Sequence, residues 1–337
     1  MNDLNEAEPP PGPEATGRAP TRREFIALGI GAFVVAALPL TGRRPLRIVR
    51  RRAPSMGTIA ELGVVHRDPV YAQSALDAAL HELLRVEAAM TRFRPDSDVG
   101  RINLQAGGDP VSVSRETARV VLEALRWAEA SEGAFDPSIG RAVALWNVGE
   151  RVVPPAADEV DALAGRHLYR GVSVDRWRGR PVVGLEDREA AVDLGGIAKG
   201  YGVDRAVQTL REWGISGGLV NVGGDLYALG RSPEGEPWRV GVRSPDEPSR
   251  LTRTLDVEDA AVATSGDYEE FFEHRGRRYH HLLDPLTAAP RQTRHRSVTV
   301  TASDCMTADA AATTVFGTGR KRGKVILDRA AAGTRVV

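Results

Sequence analysis

The segment 193–201, of sequence DLGGIAKGY, contains residue types that can bind a phosphate group. Glycines at 195, 196 and 200 let the backbone approach a ligand closely, because no Cβ stands in the way. The segment lies where the apolar run 190–192 gives way to a helical pattern, and backbone N–H groups at a helix N-terminus bind anions. Lys199 adds a positive charge and Asp193 a carboxylate. The pattern is neither the dinucleotide-binding G-x-G-x-x-G nor the P-loop. A phosphate-binding loop and a tight turn without a ligand therefore both stay open.

Asp309 and Thr313 are four residues apart in a segment that predicts a helix, so their side chains share one face. One carboxylate and one hydroxyl are a poor cage for calcium. They suit magnesium, which takes a few oxygen ligands together with water and substrate phosphates. The alternative is a capping Asp309 and a Thr313 whose hydroxyl bonds to the carbonyl one turn earlier.

His281 precedes a turn defined by Asp284 and Pro285. A neutral imidazole at this place can act as a general base. A histidine with a purely structural role in a loop is the alternative.

Two further segments carry small and polar residues. The segment 264–266, TSG, predicts a turn that brings Ser265 near a ligand, and an ordinary turn is the alternative. The segment 221–225, NVGGD, lies between two predicted strands. Gly223 permits close approach there, and Asn221 and Asp225 offer polar edges. A bare hairpin turn explains the same pattern.

The elements that must position these residues indicate an α+β fold. Asp68 and Pro69 begin a predicted helix that ends near Thr91, Ser114 begins a second that Gly133 stops, and a third runs over 198–213. Strands and further helices are predicted in this order: strands 56–65, 181–185, 190–194, 218–222, 225–229, 238–243 and 297–301, then helices 307–316 and 320–332. The strands arrive in pairs rather than alternating with helices, which favours α+β over a doubly wound sheet.

Composition excludes several classes of protein. The chain has 337 residues and a formal net charge of zero, so nothing in bulk indicates a nucleic-acid partner. The one cysteine, Cys305, excludes an internal disulfide and a cysteine-rich zinc site. We expect Cys305 to be a small buried residue.

Residues 1–50 are expected to be a targeting segment, with the catalytic domain at 51–337. Residues 1–20 are rich in Pro, Glu and Gly and predict disorder. Arg22 and Arg23 then precede an apolar run that ends near Leu40 and is shorter than the ~20 residues that span a bilayer. This pattern resembles a twin-arginine export signal and predicts a location outside the cytoplasm, in the periplasm where there is one. A chance arginine pair before a membrane anchor is the alternative, and an uncleaved signal could itself anchor the chain.

Taken together, the segments resemble the ApbE family of FAD:protein FMN transferases over residues 56–317. The motifs that carry the resemblance are 56–58 (MGT), 94–103 (RPDSDVGRIN), 135–140 (FDPSIG) with Trp146, 193–201, 221–225, 263–266 (ATSG), 281–287 (HLLDPLT) and 309–313 (DAAAT). Their order and spacing make coincidence a poor explanation.

The resemblance implies a single α+β catalytic domain with mixed or antiparallel sheets, flanking helices and FAD in a central cleft. It implies magnesium-dependent transfer of the FMN part of FAD to a threonine or serine hydroxyl of an acceptor protein, with release of AMP. The acceptor would be exported or membrane-bound. Magnesium would be held by Asp309, Thr313 and a backbone carbonyl near Gly196, and His281 would be the base. The FAD cleft would be shaped by Met56, Asp136, Asp193, Gly195, Gly196, Lys199, Asn221, Gly223, Asp225 and Ser265.

The chain departs from the family pattern at two places. Leu286, Thr287 and Ala288 follow Asp-Pro where the family usually has Arg-Thr-Gly, and Gly100 stands where a serine is common. A lost charge contact and an altered turn are expected at the first place. Two other functions stay open: a magnesium-dependent hydrolase that splits FAD into FMN and AMP, and an exported flavin-binding protein without catalysis. The second would not require Asp309, Thr313 and His281 together.

Overall fold

The structure is a computed structural model that describes residues 46–247 and 249–337, together with the backbone of 33–36. The paired arginines and the predicted disorder of residues 1–20 lie outside the described residues. The helices are α1 Pro69–Met90, α2 Asp98–Leu104, α3 Arg115–Ala130, α4 Gly140–Trp146, α5 Ala157–Asp161, α6 Ala198–Glu212, α7 Cys305–Val315 and α8 Arg320–Ala330. The strands are β1 Phe33–Ala36, β2 Arg47–Ser55, β3 Thr58–His66, β4 Val111–Ser112, β5 Val172–Trp177, β6 Arg180–Leu185, β7 Gly217–Val222, β8 Asp225–Gly230, β9 Trp238–Arg243, β10 Leu251–Val257, β11 Ala260–Gly266, β12 Phe271–His274, β13 Arg277–His280, β14 Leu283–Asp284, β15 Ala289–Pro290, β16 Ser297–Ala302 and β17 Arg335–Val336.

A seven-stranded antiparallel sheet, in the order β17-β16-β11-β8-β7-β3-β2, forms the centre of the fold. Side chains alternate across it, as the period of a strand requires. Leu62 and Val220 belong to the larger core, which also contains the buried faces of α1, α6 and α7. On the opposite face Leu219 and Leu226 pack with Trp238 of β9 in a second core. The sheet is therefore buried on both sides at its centre.

Strands β1, β9 and β10 form a three-stranded antiparallel sheet, and two smaller units complete the described chain. Strands β4, β6 and β5 form an antiparallel sheet next to α3. A satellite core unites α4 with the strand pairs β12-β13 and β14-β15, through Trp146, Phe272 and Leu283. The indole Nε1 of Trp146 donates to the carbonyl of Ala288 at 2.7 Å. This second unit carries the segment that contains His281.

The α+β prediction is confirmed, and so are most helix ends. The Asp68 side chain accepts from the first free amides of α1, and Ser114 caps α3. Cys305 is fully buried, as expected. Strand β2 begins at Arg47, four residues before the predicted start of the catalytic domain. Within the described residues, no helix combines the length and the apolar composition needed to cross a bilayer.

Three local predictions were wrong. Residues 190–194 form no strand. Their one β-type pairing is an isolated bridge between Ala191 and Ile139. The segment 264–266 is not a turn but the end of β11, where Ser265 pairs with Val298. The predicted strand 56–65 begins two residues late, because Met56 and Gly57 have positive φ and form the tight turn between β2 and β3. In that turn Met56 N–H donates to the Glu87 carboxylate at 2.8 Å.

Candidate active site

The site is built around a close crossing of α6 and α7. A Cβ on Gly200 would lie 2.2 Å from the carbonyl oxygen of Cys305, so the two helix backbones touch there and only glycine fits. One turn further along α7, Asp309 Oδ2 accepts the N–H of Gly200 at 3.0 Å. A Cβ on Gly196 would lie 2.8 Å from Thr313 Cγ2. The crossing therefore brings the glycine loop and the Asp309–Thr313 face together, as the sequence predicted.

The alternative roles of Asp309 and Thr313 were a helix cap and a hydroxyl bonded to the preceding turn. Two nearby residues of the same segment have these roles instead. Asp304, not Asp309, caps α7 by accepting the N–H of Thr307 at 2.8 Å. Thr314, not Thr313, donates its hydroxyl to the carbonyl one turn earlier, that of Ala310, at 2.5 Å. In the part of the chain that the structure describes, the Thr313 hydroxyl has no hydrogen-bond partner. It is thus free to bind a ligand.

These oxygens fit a hard cation with few protein ligands. Asp309 Oδ1 has no backbone partner among the described residues and lies 3.8 Å from the ammonium of Lys199. Burial raises the pKa of Asp309, although the Lys199 charge opposes this. Across the described ranges, no cluster of three His, Cys, Asp or Glu side chains is arranged to hold a metal. A magnesium ion here would depend on Asp309, the Thr313 hydroxyl, the Gly196 carbonyl and non-protein oxygens, as magnesium sites at phosphate groups often do.

Lys199 forms an ion pair with the buried Asp225 at the start of β8. Burial lowers the pKa of Lys199, but the negative charges of Asp225 and Asp309 raise it by more. The pKa of Lys199 therefore lies above its ordinary value. Burial and the Asp309 charge raise the pKa of Asp225 to about 7, against the effect of Lys199. Lys199 therefore stays charged and is held between two carboxylates by Coulomb attraction.

Among the described residues, Nε2 of His281 has no hydrogen-bond partner, whereas both ring nitrogens of His280 have one. Nδ1 of His281 lies 3.3 Å from the carbonyl of Glu270, and as donor there it leaves Nε2 as an acceptor. Burial, together with the smaller effect of the Lys199 charge, lowers the pKa of His281 to about 4, although the hydrogen bond to the Glu270 carbonyl and the Asp193 charge oppose this. In His280 both nitrogens are engaged, with the Arg291 carbonyl and the Leu282 N–H. At neutral pH His281 is an uncharged base with a free lone pair.

The Asp193 side chain fixes the backbone of the predicted glycine loop. Asp193 Oδ1 accepts the N–H of Gly195 at 2.7 Å, and Oδ2 pairs with Arg92 Nε at 2.8 Å. Both oxygens are engaged, so Asp193 shapes the loop and brings the positive Arg92 to it. Arg92 was missed by the sequence analysis, because nothing near it in the chain indicates a partner a hundred residues away.

The remaining predicted residues lie in strands and turns next to this centre. Asn221 Oδ1 accepts the Gly224 N–H at 3.3 Å within the β7–β8 turn, which confirms the predicted hairpin. A Cβ on Gly223 would lie 2.8 Å from Thr58 Cγ2, and the sulfur of Met56 lies beside Gly202 of α6. Ser265 of β11 lies next to the same turn, since Thr264 N–H donates to the Gly224 carbonyl at 3.2 Å.

Asp136 lies on the other side of the glycine loop and has a local role. Its Oδ1 accepts the N–H and the hydroxyl of Ser138, at 2.8 and 2.5 Å. The next carbonyl, that of Pro137, accepts the N–H of Asp193 at 2.8 Å. Asp136 thus fixes the turn that runs alongside the loop. Burial raises its pKa.

Asp204 is a second residue that the sequence analysis missed. Its carboxylate, on α6, accepts the N–H groups of Cys305 and Met306 at 2.7 and 2.9 Å. These are free amides of the first turn of α7, so Asp204 ties the two helices together beyond the Gly200 crossing. Burial raises the pKa of Asp204 to about 7.

The chain is similar over most of its length to members of one protein family. The ApbE family model matches residues 56–337. The FAD:protein FMN transferase of Vibrio cholerae is 33% identical, over 85% of this chain and 86% of that protein. The FAD:protein FMN transferase of Treponema pallidum is 36% identical, over 85% and 83%. The crystal structure of the ApbE protein from Thermotoga maritima superimposes with a TM-score of 0.77 at 32% identity, covering 86% of this chain and 93% of that one.

Proposed function

The chain belongs to the ApbE family, and on that premise we propose that it is an FAD:protein FMN transferase. It transfers the FMN part of FAD to a threonine or serine hydroxyl of an acceptor protein and releases AMP. The observation that carries the proposal is the meeting of Gly196, Asp309 and Thr313 at the α6–α7 crossing, with the Thr313 hydroxyl unpaired among the described residues. The neutral base His281 and the charged Lys199 support it.

The reaction requires positioning and charge neutralisation more than covalent help. The acceptor oxygen forms a bond to the flavin-side phosphorus, and the bond from that phosphorus to the bridging oxygen breaks, so AMP departs with the electron pair. His281 Nε2 accepts the proton of the hydroxyl. Magnesium held by Asp309, Thr313 and the Gly196 carbonyl would neutralise charge on the diphosphate. The negative diphosphate also raises the pKa of a histidine beside it, which makes His281 a better base in the complex.

The product distinguishes this function from the two alternatives. The protein is incubated with FAD, magnesium and a purified acceptor, and the acceptor is digested and sequenced by mass spectrometry. We expect FMN joined by a phosphoester to a threonine or serine, with AMP in equal amount. Free FMN and an unmodified acceptor would favour the hydrolase. FAD that is bound but intact would favour the non-catalytic carrier, and flavin joined to His or Cys through its ring would mean another class of enzyme.

Thr313→Val is expected to reduce FMN transfer strongly, because the change removes the unpaired hydroxyl and keeps the shape of the side chain. Loss of a residue that only supports a metal ligand typically lowers metal affinity by about 10–100-fold. Loss of the Thr313 hydroxyl itself should therefore raise the magnesium concentration needed for half-maximal rate at least as much. The measurement is a magnesium titration of the transfer rate.

Thr314→Val is the matched control on the same helix. Its hydroxyl bonds only to the Ala310 carbonyl, so the magnesium requirement should stay near that of the unmodified protein. A larger effect at 314 than at 313 would contradict the proposed ligand set.

We also propose that the protein is exported in a folded state through Arg22 and Arg23, and that its acceptor is exported or membrane-bound. The support is the sequence pattern before residue 50. Replacing both arginines with lysine keeps the charge but removes the guanidinium pair that the export receptor reads. The double variant is expected to stay in the cytoplasm, as measured by fractionation and immunoblot. Normal export of the variant would remove this proposal.

A further inference from the structure

Arg291 is a buried cation whose contacts are backbone carbonyls. The residue is only 7% exposed, and burial lowers its pKa to about 10, so it remains charged at neutral pH. Nε donates to the Leu283 carbonyl at 3.2 Å and Nη1 to the Thr314 carbonyl at 3.0 Å. Nη1 also donates to the Phe316 carbonyl, and Nη2 to that of Ala134. Among the described residues Arg291 forms no ion pair.

The four carbonyls belong to three segments that are far apart in sequence, and each segment carries a residue of the proposed site. Leu283 is two residues from His281, Thr314 follows Thr313, and Ala134 is two residues before Asp136. The backbone of Arg291 is fixed to the first segment as well. Its N–H donates to the Leu282 carbonyl and its carbonyl lies 3.0 Å from His280 Nε2.

Only an arginine can make this set of contacts with one side chain. The guanidinium is a rigid planar fork with five donors, whereas the lysine ammonium is a single point of charge. Two of the carbonyls, those of Thr314 and Phe316, lie at the C-terminal end of α7, where a positive charge is favourable. Asp284 is the carboxylate whose charge favours the Arg291 guanidinium, but it makes no direct ion pair with it. For stability alone a buried charge without a direct ion pair is a poor choice, because apolar residues of similar volume are often as stable or more so.

We propose that Arg291 is a positioning residue that fixes the distance between His281 and Thr313, and hence between the base and the metal-binding face of α7. The expected effect of Arg291 on turnover rests on the proposed function. Its expected effect on how the three segments pack together does not. Nothing in the chain on either side of Arg291 indicates the role, since its partners are 8 to 157 residues away.

Arg291→Lys tests the proposal with the charge retained. We expect FAD affinity, measured by flavin fluorescence quenching, to stay close to that of the unmodified protein. The turnover number should fall about 10²-fold, because small misplacement of reacting groups has effects of that size. Arg296→Lys is the matched control, since Arg296 lies in the same segment and pairs with Asp246 and Asp267 at the surface. That variant should keep its turnover.

Chemical rescue separates positioning from general destabilisation. In Arg291→Ala, free guanidinium at millimolar concentration should restore part of the turnover, whereas methylammonium of equal charge should not. Restoration by both ions, or full turnover in Arg291→Lys, would overturn the proposal. If Arg291→Ala does not fold, the lysine variant alone decides on turnover.

Hydrogen exchange gives a readout that needs no activity. In Arg291→Lys, amide exchange should accelerate together in 134–140, in 280–291 and at the C-terminal turn of α7, and it should not in Arg296→Lys. Unchanged exchange at all three would overturn the positioning role. If the unmodified protein transfers no FMN, the proposed function fails, and the exchange result still decides whether Arg291 joins the three segments.

Discussion

Asp309→Ala is expected to abolish nearly all FMN transfer while the protein remains folded. Asp309 Oδ1 is the one carboxylate oxygen of the proposed magnesium site. Metal stabilisation of transition-state charge is worth several kcal/mol. Because each 1.36 kcal/mol is a factor of ten in rate, we expect a loss of about 10³-fold or more. The measurement is the initial rate of acceptor labelling at saturating FAD over a range of magnesium concentrations.

Asp309→Asn tests the negative charge of Asp309 separately from its hydrogen bond to the Gly200 N–H. Asp309 Oδ2 also accepts the Gly200 N–H, which alanine would leave unpaired and buried. Asparagine keeps an oxygen for this bond, so it should fold as the unmodified protein does and still lose transfer. A fully active alanine variant, or transfer that persists in a chelator, would exclude Asp309 as the metal ligand.

His281→Ala is expected to reduce turnover by about 10²–10⁴-fold, the range typical for loss of a positioned base. FAD binding should persist, since His281 contributes a proton acceptor rather than a contact that the fold depends on. His280→Ala should reduce stability instead, because both of its ring nitrogens hold backbone groups. Rates are compared at equal folded fraction, determined by thermal unfolding. A reversed ranking of the two variants in turnover would count against His281 as the base.

The pH profile gives the same assignment a second test. A base must be unprotonated, so activity is lost as the pH falls through its pKa. Burial lowers the pKa of His281 to about 4, and kcat/KM reports the free enzyme. The acid limb of kcat/KM should therefore lie well below the pH 6.5 of an ordinary histidine, and that of kcat should lie higher because the bound diphosphate favours the imidazolium. A kcat/KM limb at the ordinary histidine position that persists in Asp225→Asn, which removes the site carboxyl with a pKa of about 7, would contradict this.

The parts of the fold that local chemistry specifies were predictable. The Asp68–Pro69 start of α1 and the hairpin at 221–225 depend on residues next to each other in the chain. The segment 190–194 misled the prediction, because its backbone N–H and C=O groups bond to the turn at 137–140 and to Asn103 rather than to a strand.

The site was predictable where a motif keeps its residues close together, and unpredictable where the partner is remote. Spacing placed Asp309 and Thr313 on one face of a helix. It did not tell which of Thr313 and Thr314 has a free hydroxyl, since that depends on the direction of each side chain. Arg92 and Asp204 act on partners about a hundred residues away, and only the folded chain brings them there. Ala288, where the family usually has glycine, adopts φ +50, a value that glycine would adopt without strain.

The strand order of the central sheet also bears on when the protein becomes competent during its synthesis. Strand β3 pairs with β2 on one side and with β7 on the other. The β2–β3 hairpin is synthesised early, but the strand that pairs with its other edge, β7, follows some 150 residues later in the chain. Helix α7, with Asp309 and Thr313, comes later still in the sequence. A nascent chain in which α7 has not yet been synthesised has the glycine loop but no opposing helix. The residues of the proposed site therefore come together only after α7 is made, so binding there cannot guide the folding of the elements that precede it.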